Sequence, residues 1–597
     1  MILVFGGTTE GRQAIEALEA AGSLYYYSTK GDEQQVSLTH GMHLKGGMEL
    51  PEMTSFCEKH GIRLIVDAAH PFAESLHRNL LLLALRLDLP LVRFDRIYPP
   101  RPNDVIWCKD YQDATRQLEE QGIERLLALT GVNTISQLRP YWNRHDCWFR
   151  ILRRKTSIGL AKQAGFPENR LVFYEEDTTD TLISQHQPDA ILTKESGSSG
   201  GFTQKVESAK AAGLKVFAIE RPAYPPSGVT PKDKAVTIDL VNGPHGLRRA
   251  VEKRLPEFYP LHSGLTTGTC ATAAAVAAAH ALLLKEKPDE VPVILPDGET
   301  IHVPVCYGND FAYVTKPGGD DPDVTDGLEV RAAVSRINDD DRMEVVIKGG
   351  EGVGTFTLPG FDYPPGEPAI NKSPRQMIRS NLAVFNTPLQ VIISVPEGAE
   401  IARRTFNPRL GIEGGISIIG VSGIVMPFSE EAFIESIRKC LQVAMASGTP
   451  RVVINSGAKS ERFVRTCYPE LPQQAFVEYG NYIGETLKMA EEMGIERVTL
   501  GVMLGKAVKL AAGQLDTHSR RGTMDKAFVS QMLTEAGCPM DITTLTLARG
   551  LWKMIPKEKI PAFTKVVIGH CHEHCATAVN DCELTILLIG EDGEIYS

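Results

Sequence analysis

The chain is short of the features that mark several protein classes. Its 11 cysteines are odd in number, scattered, and contain no Cys-x-x-Cys pair, which excludes a disulfide framework and points to reduced thiols in a cytoplasm. No low-complexity tract interrupts it. The opening Met-Ile-Leu-Val-Phe-Gly-Gly leaves no room for a basic leader region, and the longest apolar run, Ala271 to Leu284, is Ala-rich and short for a membrane span. Positive charge is in deficit: the net charge of -11 argues against a nucleic-acid partner. Any anionic substrate must therefore meet local clusters such as Arg153-Arg154-Lys155 or Arg520-Arg521. What remains, 43% hydrophobic and 23% charged over 597 residues, reads as a soluble chain of roughly four compact units.

The first half alternates apolar runs with helical stretches, the signature of parallel sheets with crossover helices. Met1 to Phe5 leads into Gly6-Gly7-Thr8-Thr9-Glu10-Gly11-Arg12, followed by Ile15, Leu18 and Ala21 at helical spacing. A strand, glycine loop and helix in this order suit a dinucleotide pyrophosphate, although the spacing is not G-x-G-x-x-G and an ordinary strand-to-helix turn reads equally well. The second strand ends in Ser28-Thr29-Lys30. Hydroxyls and a lysine there suit a 2′-phosphate and favour NADPH over NADH, with Asp32 nearby against it. Other strand ends carry Asp67-Ala-Ala-His70-Pro-Phe-Ala73, Lys194-Glu-Ser196-Gly197-Ser-Ser-Gly-Gly201 and Glu220-Arg221-Pro222.

Together these motifs resemble the precorrin-6A reductase family over about the first 250 residues. Ala69 and Glu195 stand where that family usually has Thr and Asn. The resemblance implies an NAD(P)H-dependent reductase and makes His70, Lys194, Ser196, Gly197 and Arg221 substrate-binding candidates. For His70, fixing its own loop and donating a proton both stay open.

Leu255-Pro-Glu-Phe-Tyr-Pro-Leu-His262 has no strand or helix period and reads as a linker between residues 1–254 and 263–597. After it, Thr266-Thr267-Gly268-Thr269 opens an Ala-rich helix. It is either a capped core helix or an anion-holding helix start. Val291 to Val346 shows short strands broken by Gly-containing turns, an α+β pattern. Val452 to Asn455 before Ser456-Gly457, and Val498 to Val502 before Gly505-Lys506, indicate a further α/β unit.

Thr-Thr-Gly-Thr-Cys-Ala-Thr-Ala-Ala-Ala, Gly349-Gly-Glu-Gly-Val-Gly354, Pro374-Arg375 and Asn407 through Gly423 make this half similar to the cobalt-precorrin-5B C1-methyltransferase family. The resemblance implies S-adenosylmethionine held near Gly414, Gly415, Ser417, Gly420, Ser422 and Gly423. It also implies a corrinoid substrate carrying cobalt, met by Thr266, Thr267, Gly268, Thr269, Arg375, Lys506, Thr517 and His518. Asp516 replaces the usual Asn of Asn-Thr-His-Ser. His518 either moves a proton or is structural. Substrate carboxylate arms are expected at Arg12, Arg221, Arg375 or Lys506.

The expected fold is Rossmann-like parallel α/β in the first half, then an α+β and an α/β subdomain. The expected function is bifunctional: C1 methylation of cobalt-precorrin-5B, then reduction of its product. The rivals are a corrinoid or cobalt carrier and an unrelated oxidoreductase fused to a methyltransferase. The latter lacks its Tyr-x-x-x-Lys pair. A carrier would draw on His570, Cys571, His572, His574 and Cys575, whose types ligate metals but whose spacing matches no structural zinc site. Read as a strand, that run would split its histidines from its cysteines. No resident metal is expected, and homo-oligomerisation stays open.

Overall fold

A computed structural model of the chain describes residues 1–31, 34–174, 178–226, 236–337, 344–518, 524–579 and 581–597. It separates into two units: Met1–His262 with Asp297–His302, and Ser263–Pro296 with Val303–Ser597.

The first unit holds two six-stranded sheets. One runs in the order Ile238–Val241, Leu91–Phe94, Leu64–Asp67, Ile2–Phe5, Tyr25–Thr29, Gly41–Lys45, parallel throughout. Ile2 and Val4 face one core while Leu3 and Phe5 face another. A strand covered on both faces reads as an unbroken apolar run. Each such side chain, fully buried, contributes about 1.5–3 kcal/mol. The other sheet, also parallel, is ordered Ile106–Cys108, Lys215–Ile219, Ala190–Lys194, Arg125–Ala128, Asp146–Ile151, Leu171–Phe173. The Rossmann-like expectation holds.

The proline-punctuated segment is not a spacer. Leu255, Phe258 and Tyr259 are buried in the core under the first sheet. Ser23 donates to the Phe258 carbonyl at 2.6 Å, and Tyr259 to that of Ala17 at 2.7 Å. Lack of period was a poor guide here, because isolated aromatics bury themselves without any regular element.

In the second unit, the helix Thr267–Ala279 is buried on every side. Strands Glu290–Ile294, Ala312–Thr315 and Glu329–Arg336 and the helix Lys372–Leu382 surround it. Alanines allow this close approach, and a helix apolar all round has no solvent face to present. Thr267–Leu284 is long and apolar enough to cross a membrane, contrary to the sequence expectation, but 72% of that window is buried inside the protein. It is the core of a mixed five-stranded sheet layer: Cys306–Tyr307, Ala312–Thr315, Glu329–Arg336, Leu389–Ser394, Val345–Gly349. The remainder of the unit is the expected α/β part, built on a second five-stranded sheet and opened by the helix Glu430–Ala446, which Ser429 caps.

Candidate functional site

In the first unit the glycine loop is shaped from beneath by Tyr27. Gly7 donates its N–H to the Tyr27 hydroxyl at 2.9 Å, and Tyr27 bonds to Gln34, whose amide reaches back to the Thr8 carbonyl at 2.8 Å. A Cβ on Gly6 or Gly11 would overlap the Tyr27 ring or hydroxyl, at 2.2 and 2.5 Å. These two glycines serve Tyr27. Only Gly7, with φ of +94° and nothing within 4 Å, faces open space. Thr8 caps the helix Thr9–Glu19 by accepting from Gly11, and donates to the Ala68 carbonyl at 2.7 Å. The glycine loop is thus fixed to the strand end carrying His70.

Ser28 and Thr29 are buried, and the Thr29 hydroxyl is engaged by the Gly31 carbonyl and His43 at 2.9 and 2.8 Å. Of the three residues expected at a 2′-phosphate, only Lys30 is exposed. Asp32 lies outside the described residues.

Glu10 crosses to the second sheet. Its carboxylate pairs with Arg96 at 3.1 Å and accepts from Ser199, while Arg96 donates to the Ser196 carbonyl at 2.6 Å. The Ser196–Gly201 loop therefore meets the glycine loop. A Cβ on Gly197 would press on Arg96 at 2.9 Å. His70 accepts from the Phe72 amide at 3.2 Å. Burial, then Arg96, Lys194, Arg93 and His77, push its imidazole down to about 3, so it stays neutral at pH 7. Burial lowers Lys194 to about 8, and burial with Arg150, Arg96 and Lys194 does the same to Lys205. Concentrated, partly desolvated cations make this an anion-attracting interior.

Asp67, fully buried, binds His77 Nδ1 at 2.6 Å and Arg93 at 3.0 Å. Burial opposes its ionisation, but Arg93 and the His77 bond hold the carboxyl below the usual carboxylate range. His77 Nε2 reaches the His70 carbonyl at 3.0 Å. Sequence reasoning missed this network. An arginine inside the apolar strand Leu91–Phe94 was its signal, because a buried cation requires a partner. Beside it lies a cavity of about 470 Å³ whose cationic lining is Arg78, Arg93 and Arg221. Arg221 stacks on Tyr98 at 3.5 Å, and its amide donates to Glu195 at 3.0 Å. Glu195 also takes both prongs of Arg101, so the residue that departs from the reductase pattern anchors two arginines. Arg12 is exposed on the first helix, within electrostatic reach of Tyr27.

In the second unit, Thr266–Thr269 and the Ser417–Gly423 loop come together, but the hydroxyls bond the loop itself. Thr267 accepts from the Ile419 amide at 2.9 Å, Thr269 donates to the Gly423 carbonyl at 2.6 Å, and Thr266 caps Thr269 at 3.2 Å. Even the Gly268 amide donates to Ile419. The threonine hydroxyls and the Gly268 amide are turned to internal partners. Gly415 is buried, and a Cβ there would lie 2.1 Å from the Gly352 carbonyl. Gly420 makes room for Thr266, and Gly423 for Leu295 and Thr269. Ser417 bonds Asn407 at 3.3 Å and Ser422 the Ile424 carbonyl at 3.1 Å. Gly414, with φ of +81° and nothing within 4 Å, is the open position. Arg375 is buried, stacked on Tyr363 and bound to Glu367 and the Ile370 and Pro368 carbonyls. It is a structural cation, unavailable to a substrate arm.

Lys506, Thr517 and His518 gather at the carboxyl ends of the last sheet. Lys506 bonds the Gly480 carbonyl, and burial lowers it to about 8 against the pull of Glu478. Thr517 bonds the Asn481 carbonyl, Lys509 the Thr517 carbonyl, and the His518 amide Asp516 at 3.0 Å. Ser519 and Arg520-Arg521 lie outside the described residues.

The His570–Cys575 run is the end of the helix Ile560–Cys575, not a strand. Cys571 and Cys575, four apart, face the core, where the Cys571 thiol reaches the Ala507 carbonyl at 3.3 Å. His572 is exposed, and His570 is held by Glu535 and Glu573. The helical period puts Cys571 and Cys575 together on the core face and turns His572 away from them.

Against known proteins, residues 1–239 match the family model Precorrin-6x reductase CbiJ/CobK, residues 256–427 the CbiD model, and residues 516–597 the CbiD C-terminal domain. A cobalt-precorrin-5B C(1)-methyltransferase of Prosthecochloris aestuarii is 42% identical over 331 residues, 53% of this chain and 90% of that protein. A solved cobalamin biosynthesis protein (cbiD) from Archaeoglobus fulgidus is 34% identical, with 44% of this chain and 83% of that one covered and a TM-score of 0.26. The solved CobK precorrin-6A reductase is 20% identical, with 42% and 97% covered and a TM-score of 0.34. The chain therefore belongs to two families joined end to end: the precorrin-6x reductase CbiJ/CobK family in its first half and the cobalt-precorrin-5B C(1)-methyltransferase family in its second.

Proposed function

We propose that this chain performs two consecutive steps of corrin-ring biosynthesis: methylation of cobalt-precorrin-5B at C1 with S-adenosylmethionine, then reduction of the resulting cobalt-precorrin-6A with NADPH. The observation that carries the reading is the pairing of the two families in one chain, since the product of one activity is the substrate of the other. NADPH supplies a hydride when bound. The first unit fits it through the open backbone at Gly7 and the exposed Lys30, and Glu10, Arg96 and the Ser196–Gly201 loop close the same region. Arg221 and Arg78, exposed on the lining, would neutralise carboxylate arms in the adjoining cavity, while Arg93 stays paired with Asp67 and Asp95. His70, neutral, holds its loop and orients rather than delivers charge. S-adenosylmethionine supplies an activated methyl, and transfer to carbon needs alignment and dry surroundings more than an acid or base.

Residues 1–262 and 263–597 carry the two activities separately in this reading, with corrinoids as the small-molecule partners. All eleven cysteines are free, which supports a reducing cytoplasm as the location. The test is incubation of the purified chain with cobalt-precorrin-5B and mass analysis. S-adenosylmethionine alone should yield the methylated product, and NADPH added afterwards should add two hydrogens. Binding of the corrinoid without turnover in either case would favour a carrier instead.

A further inference from the structure

The last sheet runs Phe476–Glu478, Val452–Asn455, Arg497–Met503, Glu583–Ile589, Ile595–Tyr596, and its first four strands are parallel. From Val452–Asn455 the chain goes to one side, to Phe476–Glu478, and then crosses to Arg497–Met503 on the other. Where strand order reverses in this way, successive loops leave toward opposite faces and a crevice opens at the carboxyl ends.

Two groups stand at these strand ends, the Ser456-Gly457 turn and Glu478. Val452–Asn455 turns at Ser456-Gly457, where Gly457 has φ of +136° and a Cβ would approach Glu478 Oε1 to 3.1 Å. Glu478 ends the neighbouring strand, half-buried, and burial pushes its carboxyl above the usual range against the opposing pull of Arg409 and Lys506. The nearby cations are engaged elsewhere: Arg409 pairs with Glu461 at 2.6 Å and Lys506 bonds the Gly480 carbonyl. Among the described residues none donates a hydrogen bond to the Glu478 carboxylate.

A carboxylate only accepts, and its two oxygens match two adjacent hydroxyls. A partly desolvated carboxylate facing a positive-φ glycine turn, with no hydrogen-bond donor of its own among the described residues at these strand ends, is an acceptor placed for the ribose diol of a nucleoside. Building on the methyltransferase reading, we propose that the adenosyl part of S-adenosylmethionine binds at these strand ends, with Glu478 accepting from the ribose hydroxyls. The Gly414–Gly423 loop, whose serines and buried glycines are spent on internal contacts, then shapes the rest of the site instead of holding the nucleoside.

Calorimetric titration of the full chain with S-adenosylhomocysteine tests this. Glu478→Gln should raise Kd at least tenfold while melting temperature and NADPH binding stay at the parent values. The unaltered chain offers a second arm free of any folding defect: the 2′-deoxy analogue of S-adenosylhomocysteine should bind it about tenfold more weakly. Parent-like affinity in Glu478→Gln, or equal binding of the two ligands by the parent, overturns the site and leaves the methyltransferase reading intact. Failure of the parent chain to bind S-adenosylhomocysteine, together with absence of C1 methylation, overturns that reading itself.

Discussion

Thr269 donates its hydroxyl hydrogen to the carbonyl of Gly423 at 2.6 Å, across 154 positions of sequence and inside the protein. With Thr267 on Ile419, this bond fastens the Ala-rich helix to the glycine loop. Thr269→Val keeps the shape but removes this bond, leaving the Gly423 carbonyl only the Thr266 amide at 3.2 Å, at a cost of about 0.5–1.5 kcal/mol. Thermal melting of the second unit should fall by about 1–3 °C. Unchanged melting would show that the loop is held by packing alone.

Gly415→Ala and Gly7→Ala should behave oppositely. The first drives a Cβ into the Gly352 carbonyl and should prevent native folding of the second unit. The second meets no atom but keeps φ of +94°, so it costs about 1 kcal/mol of backbone strain and weakens NADPH binding without loss of solubility. Soluble yield and circular dichroism of both variants check this.

A reductase fragment should end at His262, not Leu255. Truncation at Leu255 removes Phe258 and Tyr259 from the core and deletes their bonds to Ser23 and Ala17. Loss of two buried aromatics costs about 3–5 kcal/mol each, so the shorter fragment should be insoluble. Even the longer one lacks Asp297–His302, which belongs to the first unit.

Glu299 in that segment gives the unit a pH dependence. It accepts from the amides of His245 at 3.1 Å and of Gly246 at the start of the helix Pro244–Arg254, in space that a Cβ on Gly243 would fill. Burial pushes its carboxyl up to about 7, against the two amides and with Asp297 adding to the rise. The folded state thus favours the protonated form. Its contribution is complete below the unfolded value near 4.5 and is lost as pH rises through about 7. Between pH 5 and 8 the parent should lose melting temperature relative to Glu299→Gln. Parallel profiles for the two would contradict this.

Lys30→Ala should weaken NADPH more than NADH, as Lys30 is the exposed member of its trio. Thr29→Val should weaken both equally, because it loosens the loop through Gly31 and His43. Fluorescence titration with the two cofactors separates these outcomes. Equal loss on Lys30→Ala would remove the 2′-phosphate from this loop.

The sequence by itself determined the parallel sheets of the first unit, the helix that follows the glycine loop, the threonine-capped helix at Thr266, and the membership of each half. All of these are local: period, propensity and cap chemistry act within a turn or two of chain. Tertiary structure decided what each polar group does. Gly6 and Gly11 read as approach room for a ligand, yet Tyr27 occupies it. Arg375 read as a free cation, yet Tyr363 and Glu367 hold it. The threonines at 266, 267 and 269 read as an anion cradle, yet a loop about 150 residues away engages Thr267 and Thr269, and Thr266 caps Thr269. Asp67, His77 and Arg93 are ordinary residues in sequence and become one network only when two strands and a helix meet. A hydrogen bond is specified by the positions of both partners, and sequence supplies the second position only when the partner lies close along the chain.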